Sequence, residues 1–335
     1  MVHLNRFFKN MNRPKLSVVV PVYNVSKFIE RCARSLFEQT LDDIEFIFVD
    51  DCSPDDSIDI LRRVMLDYPE RKDNIHIIRH SINKGLPAAR NSGLSTARGE
   101  YLANCDSDDY VATDMYESLY CRAKEEGADL VFCDFNFVYP NKMVRYFAVR
   151  PTADHTAFMK SFIASSWTVA CNYIVSNNLV RSHNLSSPEG ISLGEDFHLV
   201  IRLAHFANCI SIVEKPLYFY NQENTNSITN TVNRSTAVSE RRVYLEAISF
   251  FREQGVLKQY ERELSWRVLK NKQDLVLNPA TFDEFLSIYP ECHKYILSCP
   301  LRFCNRKIKM LMWMLTHGME FFVKHFDNLR LALGR

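Results

Sequence analysis

The chain has 335 residues, 47% hydrophobic and 24% charged, with a formal net charge of +1. This suits one large or two smaller globular domains with a real core, and a charge so near zero offers no global field for nucleic acid. Without a run of 18 apolar residues no transmembrane helix is expected. The ten cysteines are scattered singly, with no CxxC pair, and read as reduced thiols of a cytosolic protein. Residues 1–14 are basic but lack the apolar run of a signal peptide.

In chain order, the β-branched run Ser17–Val20, closed by Pro21, predicts a buried strand. Ser26 is placed to cap a helix whose apolar positions Phe28/Ile29, Cys32 and Leu36 recur at helical spacing. Ile44–Val49 predicts a second buried strand. A helix comes next, with Ser53 as N-cap, Pro54 at its first position and Asp56 three residues after the cap. Residues 74–80 read as a strand, 86–97 as a small-residue helix and 99–104 as a strand. Helix is expected over 113–127, strand over 128–139, an edge strand over 143–149, helix over 195–207 and strand over 209–220. From Ser235 the pattern is mostly helical, which puts the domain boundary near residue 230.

Strands alternating with helices imply an α/β fold with a mainly parallel sheet flanked by helices. Such sheets bind ligands beyond the carboxyl ends of their strands. Asp50 and Asp51 end the second strand, and Asp106, Asp108 and Asp109 come after the fourth, so both acidic clusters belong on one rim. Carboxylates so close repel one another. They either sit in water on a turn or hold something positive between them. Magnesium and manganese take oxygen ligands, commonly one or two carboxylates plus substrate phosphates.

The motifs VVVPVYN, FVDDCSPDDS, NKGLPAARNSGL and GEYLANCDSDD, in that order, resemble those of the family-2 glycosyltransferases, inverting enzymes of the GT-A fold. The resemblance is close over residues 15–140 and looser to about 230. It implies a Rossmann-like GT-A domain over 15–230, with a nucleotide-binding half (15–110) and an acceptor half (111–230), before a helical C-terminal extension over 231–335. Pro21, Val22, Tyr23 and Asn24 match the loop around the nucleotide base, and Asp50 and Asp51 the pair of which one typically meets uracil or ribose. Lys84, Gly85 and Arg90 match the loop and helix bordering the nucleotide. Asn91 and Gly93 read as helix-packing positions. Asp106, Ser107 and Asp108 match the Asp-x-Asp motif. Its two aspartates imply a site for Mn2+ or Mg2+, and Asp109 reads as a cap of the next turn. The acidic pair at the helix start, Glu195 and Asp196, implies the general base, with Asp196 in that role.

The partners implied are a nucleotide-sugar donor, UDP-linked, and a glycan or lipid-linked saccharide acceptor. A homo-oligomer is compatible with this, and the product expected is a surface polysaccharide. Two departures fall on the acceptor side. The Trp-Asn-Lys-like stretch of many relatives here spans Trp167 to Tyr173 without a lysine, and Asn221 stands where relatives often have arginine. Ser227 and Ile228 match a common loop ending. From Leu301 onward the tail carries seven basic and two acidic residues around Met310–Leu315, a pattern suited to an anionic membrane surface or to packing on the protein. That reading implies a cytoplasmic enzyme, peripheral on the inner membrane surface. A nucleotidyltransferase would favour a glycine-rich phosphate loop, absent from VVVPVYNVSKF. A non-catalytic nucleotide-sugar-binding partner of a glycan assembly complex would not need Asp106, Asp108 and Asp196 together.

Overall fold

Strand β1 (Leu16–Val22) is buried along its whole length, as its run of valines requires. It pairs in parallel with β2 (Ile44–Asp50), which pairs in parallel with β3 (Ile75–Arg79), and on its other edge with β4 (Tyr101–Asn104). These are the strands expected, with one correction: β1 continues through Pro21, which pairs with Val49. The last β4 pair is Val19 with Asn104, so Pro21 lies beyond it and its missing N–H removes no ladder bond there. The computed structural model describes residues 13–165, 167–191, 193–224 and 234–326.

Helices α1 (Ile29–Phe37), α2 (Ser57–Leu66), α3 (Leu86–Thr96) and α4 (Met115–Glu126) belong to this half. Gly93 lets α3 lie against β1, because a Cβ there would meet Val19 Cγ1 at 2.3 Å. The two expected serine caps are not made. Ser26 donates its backbone N–H to Asp55, and α1 begins three residues later. Ser53 accepts from Asn24 N and donates to Asp55, so it joins the two loops while α2 starts at Ser57.

The remaining strands are β5 (Tyr110–Val111), β6 (Leu130–Tyr139), β7 (Lys142–Tyr146), β8 (Tyr173–Ser176) and β9 (Ile210–Asn221). The order is β3-β2-β1-β4-β8-β6-β9-β5, with β7 also on β6. Only β5, β7 and β8 run against the others, so the sheet is mainly parallel in direction. The register of β6 against β9 shifts on either side of Asp134, a buried carboxylate held by Arg145 and Arg150. Helices α5 (His155–Ile163), α6 (Asn177–Ser182) and α7 (Glu195–Phe206) complete the pattern. Strands β5 and β8 and helices α5 and α6 were not visible as periodic segments.

The chain forms two compact units, Met1–Phe158 with Trp167–Thr231, and Met159–Ser166 with Val232–Arg335. The expected break near residue 230 is present, but residues 159–166 also join the helical unit. Within it the Arg267 guanidinium donates to the Ile163 and Ser165 carbonyls. Its helices are α8 (Arg234–Glu253), α9 (Leu257–Lys272), α10 (Phe282–Ser287), α11 (Arg306–Thr316) and α12 (Glu320–Lys324). Phe251, Leu264, Leu269, Phe285 and Met312 are among its buried residues. Helix α11 buries Ile308, Leu311, Met312 and Leu315, so this part of the tail is a packed element. Met310, Phe321 and Phe322 remain exposed. Among the described residues no helix is long and apolar enough to cross a membrane.

Candidate active site

The carboxyl end of β2 delivers Asp50 and Asp51, both buried. Asp50 accepts from Ser53 N at 2.8 Å and lies 3.2 Å from Arg79 Nε. Asp51 accepts from Lys84 N at 2.9 Å and Gly85 N at 2.8 Å, and pairs with His80 Nδ1 at 2.7 Å. Gly85 permits this turn because its φ is +88°. His80 Nε2 lies 2.8 Å from Ser92 Oγ, which carries the link from β2 onto α3. Asp51 is thus spent on shaping the Lys84–Gly85 corner. Nearby, Asn24 adopts φ +56° and Tyr23 is exposed, while Pro21 and Val22 close β1 beneath them.

Helix α3 carries Arg90 into the middle of three carboxylates. Its Nη2 donates to Asp106 Oδ1 at 2.9 Å, and its Nη1 donates to Asp196 Oδ1 at 2.5 Å and lies 3.5 Å from Glu195 Oε1. Arg90 is fully buried, whereas the Asp106 and Asp196 side chains keep 22% and 21% of their surface open. Arg90 therefore joins the Asp-x-Asp turn to the acidic pair of α7, rather than simply bordering a nucleotide. Asn91 makes a reciprocal pair with the Ser187 backbone, at 2.9 Å in each direction.

Glu195 and Asp196 form the first turn of α7, where the helix dipole favours negative charge. Ala170 N donates to Asp196 Oδ2 at 3.1 Å. Burial pushes both carboxyls up. The Asp196 charge raises Glu195 further, to about 7, against the Arg90 guanidinium, while Arg90 opposes and Asp106 adds to the rise at Asp196.

The acidic turn after β4 is tied to β9. Tyr218 donates its hydroxyl to Asp109 Oδ2 at 2.6 Å and accepts from Asp106 N at 3.2 Å. Asn221 donates its backbone N–H to Asp109 Oδ1 at 2.7 Å and its Nδ2 to the Asp108 carbonyl at 3.1 Å. Asn224 Nδ2 reaches Asp108 Oδ2 at 2.8 Å. Asp109 thus anchors the turn to β9 instead of capping the next turn. Ser107 is buried between the two motif aspartates.

A hard divalent cation suits this oxygen set. Burial and the Asp106 charge raise the Asp108 carboxyl, and a nearby cation would return it to the ionised form. Ligand atoms of Asp106, Asp109 and Cys171 also lie within 4.8 Å of one another. Asp109 already accepts two hydrogen bonds and the thiol is a soft ligand, so Asp106 and Asp108 suit magnesium or manganese better. The sequence reading missed His80, Ala170, Tyr218 and Asn224. Only Asn221, as a departure from the family pattern, carried a signal. Ser227 and Ile228 lie outside the described residues, as do residues 1–12.

Three partly buried carboxylates thus gather around one buried arginine beside the carboxyl ends of a mainly parallel sheet, the rim where such sheets bind ligands. The family described as Glycosyl transferase family 2 matches residues 17–168. The uncharacterized glycosyltransferase EpsJ of Bacillus subtilis is 31% identical over 280 residues, covering 80% of this chain and 78% of its own. Residues 1–349 of S. aureus TarS, solved with UDP-GlcNAc, superpose with a TM-score of 0.68 over 91% of each chain at 18% identity. The mannosyltransferase PcManGT of Pyrobaculum calidifontis, in complex with GDP-Man and Mn2+, gives a TM-score of 0.52 at 15% identity, covering 96% of this chain and 94% of its own. At such identities these structures speak for the fold alone. The chain belongs to glycosyltransferase family 2, and it is an enzyme of that class.

Proposed function

We propose that the protein transfers a sugar, with inversion, from a UDP-sugar to a saccharide acceptor, glycan or lipid-linked, during assembly of a cell-surface polysaccharide. The observation that carries this reading is the Arg90 hub, which holds Asp106 of the donor-side turn and Asp196 of α7 on one guanidinium. In the proposed reaction Asp196 takes the proton of the acceptor hydroxyl while that oxygen attacks the anomeric carbon. The bond to the diphosphate oxygen breaks on the opposite face, and UDP leaves with the bonding pair. A general base must be ionised and open to its substrate, and Asp196 keeps an open face. Asp106 and Asp108 would hold Mn2+ or Mg2+, which neutralises charge developing on the departing diphosphate. Pro21, Val22, Tyr23 and Asn24 would wall the base, with Asp50 and Lys84 beside the nucleoside and Asp51 and Gly85 shaping that corner.

UDP is favoured by the UDP-GlcNAc complex of the structural neighbour TarS, and the product class by the S. aureus enzyme's description as a poly(ribitol-phosphate) N-acetylglucosaminyltransferase. A location on the cytoplasmic membrane face is favoured by exposed Met310, Phe321 and Phe322 together with basic Arg306 and Lys307 in the same tail. The test is a panel of UDP-, GDP- and TDP-sugars, each with and without manganese, read by thermal shift and donor hydrolysis. A ligand that binds only the folded state at about 100 times its Kd adds roughly 2.7 kcal/mol of stability. The expected result is a metal-dependent shift and slow hydrolysis with one UDP-sugar. A larger shift with a GDP- or TDP-sugar would overturn the UDP assignment.

A further inference from the structure

Trp167 is 39% exposed, although it is a large aromatic residue in the unit that holds the catalytic carboxylates. It packs edge-on to Phe137, with centroids 5.0 Å apart, and lies 6.3 Å from the ring of Tyr220. Phe137 and Tyr220 are themselves 5.7 Å apart and are register partners on β6 and β9. Phe137 is buried, so it supports the other two rings from beneath, and Tyr146 closes the cluster at 6.1 Å from it. The result is an aromatic step in which the indole is the most exposed ring.

Two short covalent paths tie this step to the reacting groups. Ala170, whose N–H holds Asp196, is three residues after Trp167, a reach of at most about 10 Å. Tyr220 is two residues after Tyr218 on the same face of β9, about 7 Å along the strand, and Tyr218 bonds both Asp106 and Asp109. Neither path can exceed about the length of two sugar rings. Aromatic faces carry partial negative charge and attract the weakly positive C–H face of a pyranose. A phosphate gains nothing from such a surface, and a flexible polyol phosphate, which has no preformed flat C–H face, gains less than a pyranose.

We propose that Trp167, backed by Phe137 and Tyr220, is the stacking platform for a pyranose ring of the acceptor, so that the acceptor is a saccharide presenting an unobstructed C–H face. This deepens the transferase reading above and rests on it for the word acceptor; stacking itself does not depend on that reading.

The test uses the full chain and methyl β-glycosides of glucose, galactose and N-acetylglucosamine, with ribitol phosphate as the contrasting probe. Saturation-transfer NMR reads binding, and calorimetry with UDP reads the donor side. At least one glycoside should receive saturation at the C–H protons of one ring face. Trp167→Ala should weaken that glycoside about tenfold or more, Trp167→Phe should weaken it less, and UDP affinity should stay within twofold in both. Unchanged glycoside binding in Trp167→Ala overturns the proposal, as does binding of ribitol phosphate with no glycoside bound. If Trp167→Ala loses UDP affinity as well, Trp167→Phe decides, because it keeps an aromatic ring in the cluster; equal loss of UDP affinity in that variant also overturns the proposal. If glycosides stack while no nucleotide or sugar nucleotide binds the wild-type chain, the platform stands and the transferase reading fails.

Discussion

Arg90 Nη1 and Asp196 Oδ1 meet at 2.5 Å although 106 residues separate them in the chain. The same guanidinium holds Asp106, so one cation gathers the end of β4 and the start of α7. Three carboxylates around a buried arginine leave a local excess of negative charge. Burial first, and that excess second, keep Glu195 and Asp196 above the ordinary carboxylate range.

Arg90→Ala leaves those carboxylates facing one another without a cation. Breaking a buried ion pair by removing one partner costs about 3–5 kcal/mol. Losing Arg90 raises the carboxyl pKa values in the folded state further, and a raised folded-state value favours folding below the unfolded value and opposes it above. The loss should therefore be largest at pH 8 and shrink toward pH 4. Urea denaturation at the two pH values checks this, and an equal loss at both would contradict it. Arg90→Lys keeps the charge without the planar fork and should recover part of the stability.

Asp196→Asn should keep UDP binding and lose transfer by about 100- to 10,000-fold. The base must be ionised, and the acidic pair titrates above the usual range, with Glu195 at about 7. Activity should therefore fall on the acid side at a pH above that at which an ordinary carboxylate protonates. A kcat/KM profile whose acid limb lies near pH 4 would argue against either residue as the base. A greater loss in Glu195→Gln than in Asp196→Asn would move the role to Glu195.

UDP should bind more tightly with manganese or magnesium than with EDTA, and Asp108→Asn should remove most of that gain, as read by calorimetry. Asp108 carries a raised pKa because burial and Asp106 oppose its charge, so metal affinity should weaken as pH falls. Equal UDP affinity with and without metal would count against the cation.

The exposed Phe321 and Phe322, with the basic residues of α11, should draw the full chain onto anionic vesicles at low salt and release it in part at high salt. Phe321→Ser with Phe322→Ser should reduce co-sedimentation while leaving the Tm within a few degrees, since both rings are open to solvent. Truncation near residue 300 is a poor test, because it removes the buried Ile308, Leu311, Met312 and Leu315 and should destabilise the helical unit. Full-length protein that ignores vesicles at low salt would refute the membrane contact.

Much of the fold was legible in the residues themselves. Apart from Ser17 and Glu45, Ser17–Val20 and Ile44–Val49 are β-branched or aromatic, and such runs are favoured where both faces of a strand are covered. The ends of β2 and β4 put two acidic clusters on one rim for the same reason that any parallel sheet does. Not every short element was legible: β5 has two residues, too few for a period to show, and β8, with four, carried no motif such as the one that marked the equally short β4. Nor could local pattern foretell that Ser53 would bridge two loops instead of capping α2.

Residue type and order determined the acidic turn, the α7 carboxylate pair, the glycines at 85 and 93, and the family to which the chain belongs. Tertiary structure alone decided which charges meet. Arg90 read as one more basic residue near a nucleotide loop, and only the packing of α3 between the end of β4 and the start of α7 makes it the shared partner of Asp106, Glu195 and Asp196. The physical reason is range. Strand and helix patterns are set by neighbours a few positions away, whereas a buried ion network joins groups 16 to 106 residues apart, and its pKa values exist only once water has been excluded around them.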